Sequence, residues 1–487
     1  MRTKTSLILL TFLALPWSLS RAGGLLPVGQ AEYEFVYDRL ERLDALSVDR
    51  FDYQLGPYCF DWIRYPAHPF QQLSEIDSST ICLFGFAGEQ FHSRQGSRAL
   101  GRESLRGGVA ARPLGHLFVY ANFVLDEARA KDPSYHGKKW RGLAGDVEQG
   151  FAQYSSQRFD ITLGRFASFW GPRRSLALAS NAIMDGLAYQ VRLGRLTISY
   201  RLARLDGLTP KYDSVPQYEY RYFAGHRVDL HLLANRLNVG LFETVVFGGA
   251  GRQIDLFYLN PLIFYHGAQL NEGTEDNTLV GFDITVKPRV GFKLYGQVVI
   301  DDLQIEKKVQ ADQEPNEYGV LLGAYLTDLA PSWDVNAEYS RVTNWTFNQV
   351  LPRNRVLFEN KPVGNALGND YDLGSVSLYR WFGESKRASI NLSYWRQGEG
   401  RVDAIWSAPW LDVIGDYDEP FPTGVVQKTL TASVGFKGFA LGHFYIDATA
   451  GLDRITNRSH HSGEIRTLPF FNLTLSAFAS ALLDLSD

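Results

Sequence analysis

The chain has 487 residues, 14% of them aromatic and 45 of them glycine, with a formal net charge of −4 and a mean hydropathy of −0.18. The absence of a basic excess excludes a nucleic-acid footprint. No uninterrupted apolar run approaches the roughly 18 residues of a spanning helix, which excludes a helical inner-membrane protein.

The N-terminus reads as an export signal. Arg2 and Lys4 supply positive charge, Leu7 to Leu15 form an apolar run, and Ser20-Arg21-Ala22 ends in the small-x-small pattern of a cleavage site. Cleavage is expected after Ala22, with Ser20 as the alternative; an uncleaved anchor would need a longer apolar run. This divides the chain into a signal peptide (1–22), a periplasmic helical segment (23–82) and a β-barrel (83–487). In residues 31–46, Val36, Leu40 and Leu43 recur at helical spacing with charges between them. A periplasmic helix is expected there, packed at the periplasmic mouth of the barrel because so short a unit has no core of its own. An irregular aromatic stretch follows, Phe51 to Phe70. Cys59 and Cys82 are the two cysteines, and in an oxidising compartment a disulfide between them would restrain the segment by about 3 kcal/mol on the chain-entropy model. The alternative is two unpaired buried thiols. Two cysteines without companion histidines at ligand spacing do not make a metal site, and no cofactor is expected.

Beyond this point apolar and polar residues alternate with period two. Strands are expected near 106–112 and 115–126, 147–155 and 157–166, 187–193 and 195–204, 225–234 and 237–247. They continue at 279–287 and 290–300, 316–327 and 332–344, 371–382 and 386–396, 424–437 and 440–451, and finally 465–481. Links within pairs are short and links between pairs are long, as in bacterial barrels with periplasmic turns and extracellular loops. Seventeen strands is odd, and both termini must lie on one side. One more strand should therefore precede residue 106, and Leu83 to Arg94 is the candidate, giving an all-β, antiparallel, transmembrane barrel of eighteen strands, with sixteen as the fallback. A charge facing lipid at mid-bilayer costs about 2–4 kcal/mol, so the apolar sets face outward. Phe292, Leu294, Val298 and Ile300 should then face lipid, and Lys293, Tyr295, Gln297 and Asp301 the interior. Asp334, Asn336, Glu338 and Ser340 should also point inward, as should Asn391, Ser393, Trp395 and Gln397, and Gln427, Thr429, Thr431 and Ser433. In the last strand Phe471, Leu473, Leu475 and Ala477 face lipid. The chain ends in Leu-Asp-Leu-Ser-Asp rather than the terminal aromatic of an outer-membrane insertion signal.

The loop 248–278 carries the apolar run Ile254 to Tyr265. So large a patch would not stand in water, and it is expected to fold into the barrel mouth and constrict the pore; a hairpin extension or an oligomer surface is the alternative. Arg192, Arg201, Arg227, Asp160, Asp229, Asp283 and Asp301 place opposite charges inside, either paired to hold strands and plug together or lining a selectivity filter. A three-residue turn at 234–236 would set Arg227 opposite Glu243, and a two-residue turn would break that register. Catalytic arrangements are thin. His226, Asp229 and His231 lie close in sequence and Asp301-Asp302 form a carboxylate pair, but no nucleophile motif or coherent metal set accompanies them, so no enzyme is expected.

Several stretches carry a family resemblance: Trp170-Gly171-Pro172 with Ser180-Asn181-Ala182; His226-Arg227 leading to Leu241-Phe242-Glu243; Tyr258-Leu259-Asn260-Pro261; and Gly364-Asn365-Ala366-Leu367-Gly368-Asn369-Asp370. Tyr295-Gly296-Gln297 to Asp301-Asp302, and Pro422-Thr423-Gly424-Val425-Val426, are similar too. In this order they resemble the Wzi capsule-assembly family, over about 31 to 451. The resemblance implies an eighteen-stranded, loop-plugged outer-membrane barrel with a periplasmic helical element. It would act as a non-enzymatic surface lectin that helps anchor capsular or exopolysaccharide, its partners being polysaccharide and outer-membrane lipid. The residues agree with such a role, because sugar rings stack on aromatic faces and their hydroxyls need polar partners. Loop 397–424 offers Trp406, Trp410, Asp412, Asp416 and Tyr417, and loop 345–371 offers Trp345, Asn348, Asn354, Arg355 and Asp370. Candidate ligand residues are Trp345, Arg355, Asp370, Trp406, Trp410 and Asp412, with an aromatic interface belt as the alternative for Trp345 and Trp381. A monomer is expected. The competing functions are a substrate-specific porin or export channel and, more remotely, a hydrolase.

Overall fold

The structure is a computed structural model and describes residues 25–26, 31–46, 55–56, 73, 75–94, 100–132, 135, 137–179, 182–209, 218–272, 274–304 and 309–485. The expected signal peptide, Cys59, and Ser180 and Asn181 of the quoted motifs lie outside these residues. Among the described residues, eighteen antiparallel strands close into a barrel. They are β1 (Thr80–Arg94), β2 (Leu100–Leu114), β3 (Leu117–Asp126), β4 (Leu143–Ser155), β5 (Phe159–Ala167), β6 (Ile183–Leu193), β7 (Leu196–Arg204), β8 (Glu219–Leu232) and β9 (Leu237–Ala250), followed by β10 (Asn277–Arg289), β11 (Phe292–Asp302), β12 (Glu317–Ala330), β13 (Trp333–Val342), β14 (Tyr371–Phe382), β15 (Lys386–Gln397), β16 (Gln427–Ala440), β17 (Phe444–Thr456) and β18 (Ile465–Asp484). Closure runs through β1, which pairs β2 on one side and β18 on the other, from Thr80 opposite Asp484 to Arg94 opposite Phe470. The strand expected before residue 106 is therefore the one that seals the wall, and closure leaves no open sheet edge. One rim carries turns as short as 194–195 and 331–332, the other loops as long as 343–370 and 398–426.

Side chains alternate across the wall as the pleat requires. On β11, Lys293, Gln297 and Val299 are buried while Leu294 is exposed; on β13, Asp334 and Ser340 are buried while Tyr339 is exposed. On β18, Ser476 and Phe478 are buried whereas Phe471 and Leu475 are exposed.

Helix α1 (Ala31–Leu46) has Glu32 and Glu34 in its first turn, which suits the positive end of the helix dipole. It lies inside the short-turn end of the barrel. Its Tyr33, Phe35, Val36, Tyr37 and Leu40 share one cluster with the inward Phe84, Phe86, Tyr120, Trp381, Phe439 and Phe478. Its charges meet inward charges of the wall. Arg42 donates to Asp334 at 2.8 Å and to Asp328 at 2.6 Å, Lys293 pairs with Glu41 at 3.1 Å, and Lys287 pairs with Asp44. Burial pushes the Asp38 carboxyl up, but Arg387, Arg173 and Lys437 together outweigh it and hold the group at about 2.

From the other end, segment 168–179 enters among inward side chains. Gln297 accepts from the Leu176 amide at 2.7 Å and donates to the Trp170 carbonyl at 3.1 Å. Trp170, Leu176, Ala177 and Leu178 then pack with the inward Phe242, Leu279, Val299 and Leu321, and with Phe347, Val356 and Val363 of the loop 343–370. Contact is close enough that a Cβ on Gly364 would fall 1.8 Å from the Leu176 carbonyl oxygen. Arg173 continues the chain of contacts to α1 by pairing with Asp38 at 2.5 Å and with Glu34.

The apolar loop between β9 and β10 behaves differently from the expectation. Arg227 faces inward, toward Asp229 and Asp283, so its neighbours Tyr222, Ala224 and His226 on β8 face outward, as do their partners Phe247, Val245 and Glu243 on β9. Of these, Tyr222, Ala224, Val245 and Phe247, with Tyr200 and Leu202, form a cluster with Tyr258 and Tyr265, against which Phe257, Leu259 and Ile263 also pack. The run 254–265 is thus folded over the outer wall and does not enter the mouth. So large an apolar patch needs cover, and the outer face of the wall supplies it as well as the mouth could have done.

Candidate functional site

At the long-loop end, loops 343–370 and 398–426 and the short turn Gln310–Gln313 converge on an aromatic cluster. Trp345 lies 5.0 Å from Trp406 and 5.6 Å from Trp410 between ring centroids, and Trp406 and Trp410 are 5.7 Å apart, edge to face. Tyr417 extends the cluster at 6.4 Å from Trp410. Trp345 and Trp410 are buried at 7% and 3% exposure; Trp406 is half-buried, and Ile405 and Ile414 of the same loop stand out in the open. Glu419 ties the rings together, accepting from Trp345 Nε1 at 2.9 Å, Asn344 Nδ2 at 3.1 Å and the Tyr417 hydroxyl at 3.3 Å. Gln310 donates to the Trp410 carbonyl at 2.6 Å, bringing in the turn 310–313. Trp345, Phe347 and Ala408 occupy the left-handed backbone region, at φ of 69°, 70° and 44°. For bulky side chains this costs about 1–3 kcal/mol each and persists only where the surroundings over-determine it.

Below the rings lies a group of carboxylates. A register shift between Ile300 and Asp302 sets Asp302 opposite Glu317, and Asp301 accepts from the Phe347 amide at 2.6 Å. Burial, with Asp302 nearby, raises the Glu314 carboxyl to about 7. Burial also raises Glu419, against the hydrogen bonds from Trp345 and Asn344. Among the described residues, no cluster of three or more His, Cys, Asp or Glu side chains could hold a metal ion.

Of the candidate ligand residues, Trp345, Trp406 and Trp410 come together as described. Arg355 turns to the backbone, donating to the Asp403 and Ala404 carbonyls at 3.1 and 2.8 Å. Asp370 is fully buried and accepts from the Gly400 and Thr423 amides at 2.8 and 2.9 Å, pinning both ends of the loop that carries the tryptophans. Asp412 ends the short helical turn that bears Trp410 and is exposed. Glu419, Asn344 and Gln310 escaped the sequence reading. They sit in irregular loops, where no periodicity ranks one polar residue above another.

Inside the barrel, Arg192 bonds Gln190 Oε1 at 2.5 Å and pairs with Asp160. Arg201 lies over the Phe166 ring at 3.9 Å and donates to the Met184 carbonyl at 3.0 Å. Arg227 is chelated by Asp229 and Asp283 with all three side chains almost fully buried. The expected Arg227–Glu243 pair does not form. The link 233–236 has four residues, three of them with positive φ, so Leu232 faces Leu237 and Arg227 faces Phe242. A one-residue shift changes the face of every side chain, and Glu243 stands outside, opposite His226. His226 and Asp229 accordingly point to opposite sides of the wall. Cys82 is a buried, free thiol.

A half-open indole framed by buried rings can stack on the apolar face of a ring-shaped ligand while polar groups of the surrounding loops take its hydroxyls. The profile of the family described as capsule assembly protein Wzi matches residues 72–468. Among solved structures, Wzi of Escherichia coli, described as an outer-membrane protein involved in group 1 capsule assembly and a carbohydrate-binding β-barrel, aligns with a TM-score of 0.60 at 15% identity, covering 93% of this chain and 99% of that one. Pseudomonas aeruginosa OccD3 (OpdP) aligns at 0.47 and 8% identity over 82% of this chain and 91% of that one. OpdK from the same organism, with vanillate, aligns at 0.48 and 10% over 82% and 99%. No curated protein sequence matches. With the family profile spanning most of its length, the chain belongs to the Wzi capsule-assembly family of outer-membrane β-barrels.

Proposed function

We propose that this barrel is a surface lectin that holds capsular or exopolysaccharide on the outer membrane without turning it over. The observation that carries this reading is the cluster of Trp345, Trp406, Trp410 and Tyr417 at the long-loop rim. Trp406 is the ring left open for stacking, which can contribute about 0.5–1.5 kcal/mol beyond area burial for an aromatic contact. The long-loop rim faces the cell exterior, and the short-turn rim with α1 faces the periplasm, following the general asymmetry of bacterial barrels. Segment 168–179, loop 343–370 and α1 enter the lumen from its two ends, which favours a closed barrel over a channel. The matching Escherichia coli protein, described as carbohydrate-binding, supports the same ligand class.

The test is retention of polysaccharide by cells. Deleting the gene should release polymer into the medium, wild-type protein should restore the cell-bound fraction, and Trp406→Ala should be assembled in the membrane but fail to restore it. Full restoration by Trp406→Ala would remove the ring from the site.

A further inference from the structure

The segment between β9 and β10 covers the outside of a wall that otherwise faces lipid. Its inner face is built to stay there. The Tyr200 hydroxyl donates to the Tyr258 carbonyl at 2.8 Å, and Tyr265 to the same oxygen at 3.0 Å. Glu243, an outward carboxylate, accepts from the amides of Tyr265 and His266, each at 2.6 Å, where helix α2 (Tyr265–Glu272) begins. The hydroxyl of Thr278, another outward residue, is engaged by His266 Nδ1 at 3.0 Å and Gln269 at 2.8 Å. At the upper edge, Asp276 gathers Arg252 and the Tyr258 hydroxyl at 2.7 Å. These polar groups are thereby satisfied from within the protein, as a lipid-facing surface demands, while Nδ1 of the outward His226 is buried without a hydrogen-bond partner.

The outer face of the segment is mostly apolar, with Asn260 and the half-exposed Asp255 as its polar members. Leu256 and Leu262 are 77% and 78% exposed, with Phe264 and Ile254 also open. They continue the exposed row Leu241, Val280, Phe282 and Ile284 on β9 and β10, which belongs to the lipid-facing belt of the barrel. The height agrees. Glu243 lies six residues beyond Leu237 at the start of β9, and at the usual strand rise and tilt this is roughly 15 Å above the short-turn rim, inside an apolar band about 25 Å tall.

We propose that residues 254–264 form a strap immersed in the leaflet on the long-loop side, with Ile254, Leu256, Leu262 and Phe264 against lipid acyl chains, and not an extracellular loop in water. The occupant is hydrocarbon, because the large exposed strap side chains Ile254, Leu256, Leu262 and Phe264 are aliphatic or aromatic and merge with a belt whose partner is hydrocarbon; of the polar strap residues, Asp255 faces Arg252 and Asn260 is exposed.

The experiment uses the unmodified full-length protein in vesicles containing phospholipid with a diazirine in its acyl chain. After illumination, adducts are mapped by mass spectrometry. Adducts on 254–264 at a yield comparable with the belt peptide around Phe282 are expected, together with loss of the strap adducts, but not the belt adducts, in Leu256→Glu/Leu262→Glu. Labelled belt with an unlabelled strap would overturn the proposal, whether the strap proves open to water or covered by a second copy of the chain. A nitroxide placed at residue 256 and probed with oxygen and with a water-soluble nickel complex gives an independent reading: oxygen-accessible and nickel-protected is expected, nickel-accessible contradicts it.

Discussion

Replacing Arg42 by Met should loosen α1 from the barrel without disturbing the wall. Asp334 is wholly buried and gathers four donors: Arg42 Nε at 2.8 Å, the Tyr325 hydroxyl at 2.9 Å, Trp381 Nε1 at 2.7 Å and the Asp328 amide at 2.9 Å. Arg42 is the charged one, and its side chain is 9% exposed. Removing one partner of a buried ion pair costs about 3–5 kcal/mol, since the remaining charge stays desolvated. Three neutral donors remain on Asp334, which places Arg42→Met at the lower end. The second pair, with Asp328, adds little, because that carboxylate is 43% exposed and half-exposed pairs contribute about 0–1 kcal/mol. A loss of about 3 kcal/mol confined to α1 corresponds to amide exchange faster by roughly 150-fold where exchange occurs by local opening. The assay is hydrogen exchange read by mass spectrometry on protein in detergent, with peptides from 31–46 compared with strand peptides of β13 and β14. Unchanged exchange in 31–46 would refute the reasoning, and equal acceleration in helix and strands would show that the pair stabilises the barrel as a whole.

Trp410→Ala should increase exchange throughout 398–426, because it empties a buried ring site and truncations of that kind cost about 3–5 kcal/mol, whereas Trp406→Ala should leave loop exchange nearly unchanged. The Glu314 carboxyl is raised from 4.5 to about 7, so its contribution is fully present below about 4.5 and is lost as pH rises through 7. The fluorescence of the tryptophan cluster should therefore report tighter loop packing at pH 5 than at pH 8, and Glu314→Gln should flatten that difference. In planar bilayers the wild-type protein should give no large, stable conductance steps; deletion of 172–178 should produce them, and open steps from the intact chain would favour the porin reading.

The barrel was legible because one face of each strand must be apolar, so a period of two marks both the strand and its face. Even the closing strand followed from parity, since both ends of a single-chain barrel lie on one side. Two failures came from questions that periodicity does not address. Leu256 and Phe264 announce a patch needing cover but carry no sign of which side of the wall provides it; the outward Tyr200, Tyr222 and Phe247 that receive the strap look from sequence like ordinary lipid-facing residues. The Arg227–Glu243 pairing rested on the length of one turn, and Leu233, Ala234 and Asn235 adopt positive φ without any glycine among them to announce it. At the candidate site, aromatic composition found Trp345, Trp406 and Trp410, but Asp370 and Arg355 were chosen for polarity and proved to hold backbone, while Glu419 joins the rings from a loop of undistinguished acidic residues.

The central claim, that the rim cluster recognises carbohydrate, is tested most directly by titrating surface polysaccharide isolated from the source cells into the purified barrel by calorimetry. Saturable binding that Trp406→Ala abolishes, in a variant whose loop exchange matches wild type, is the predicted result. Absence of binding to the intact protein, or undiminished binding by that variant, would contradict it.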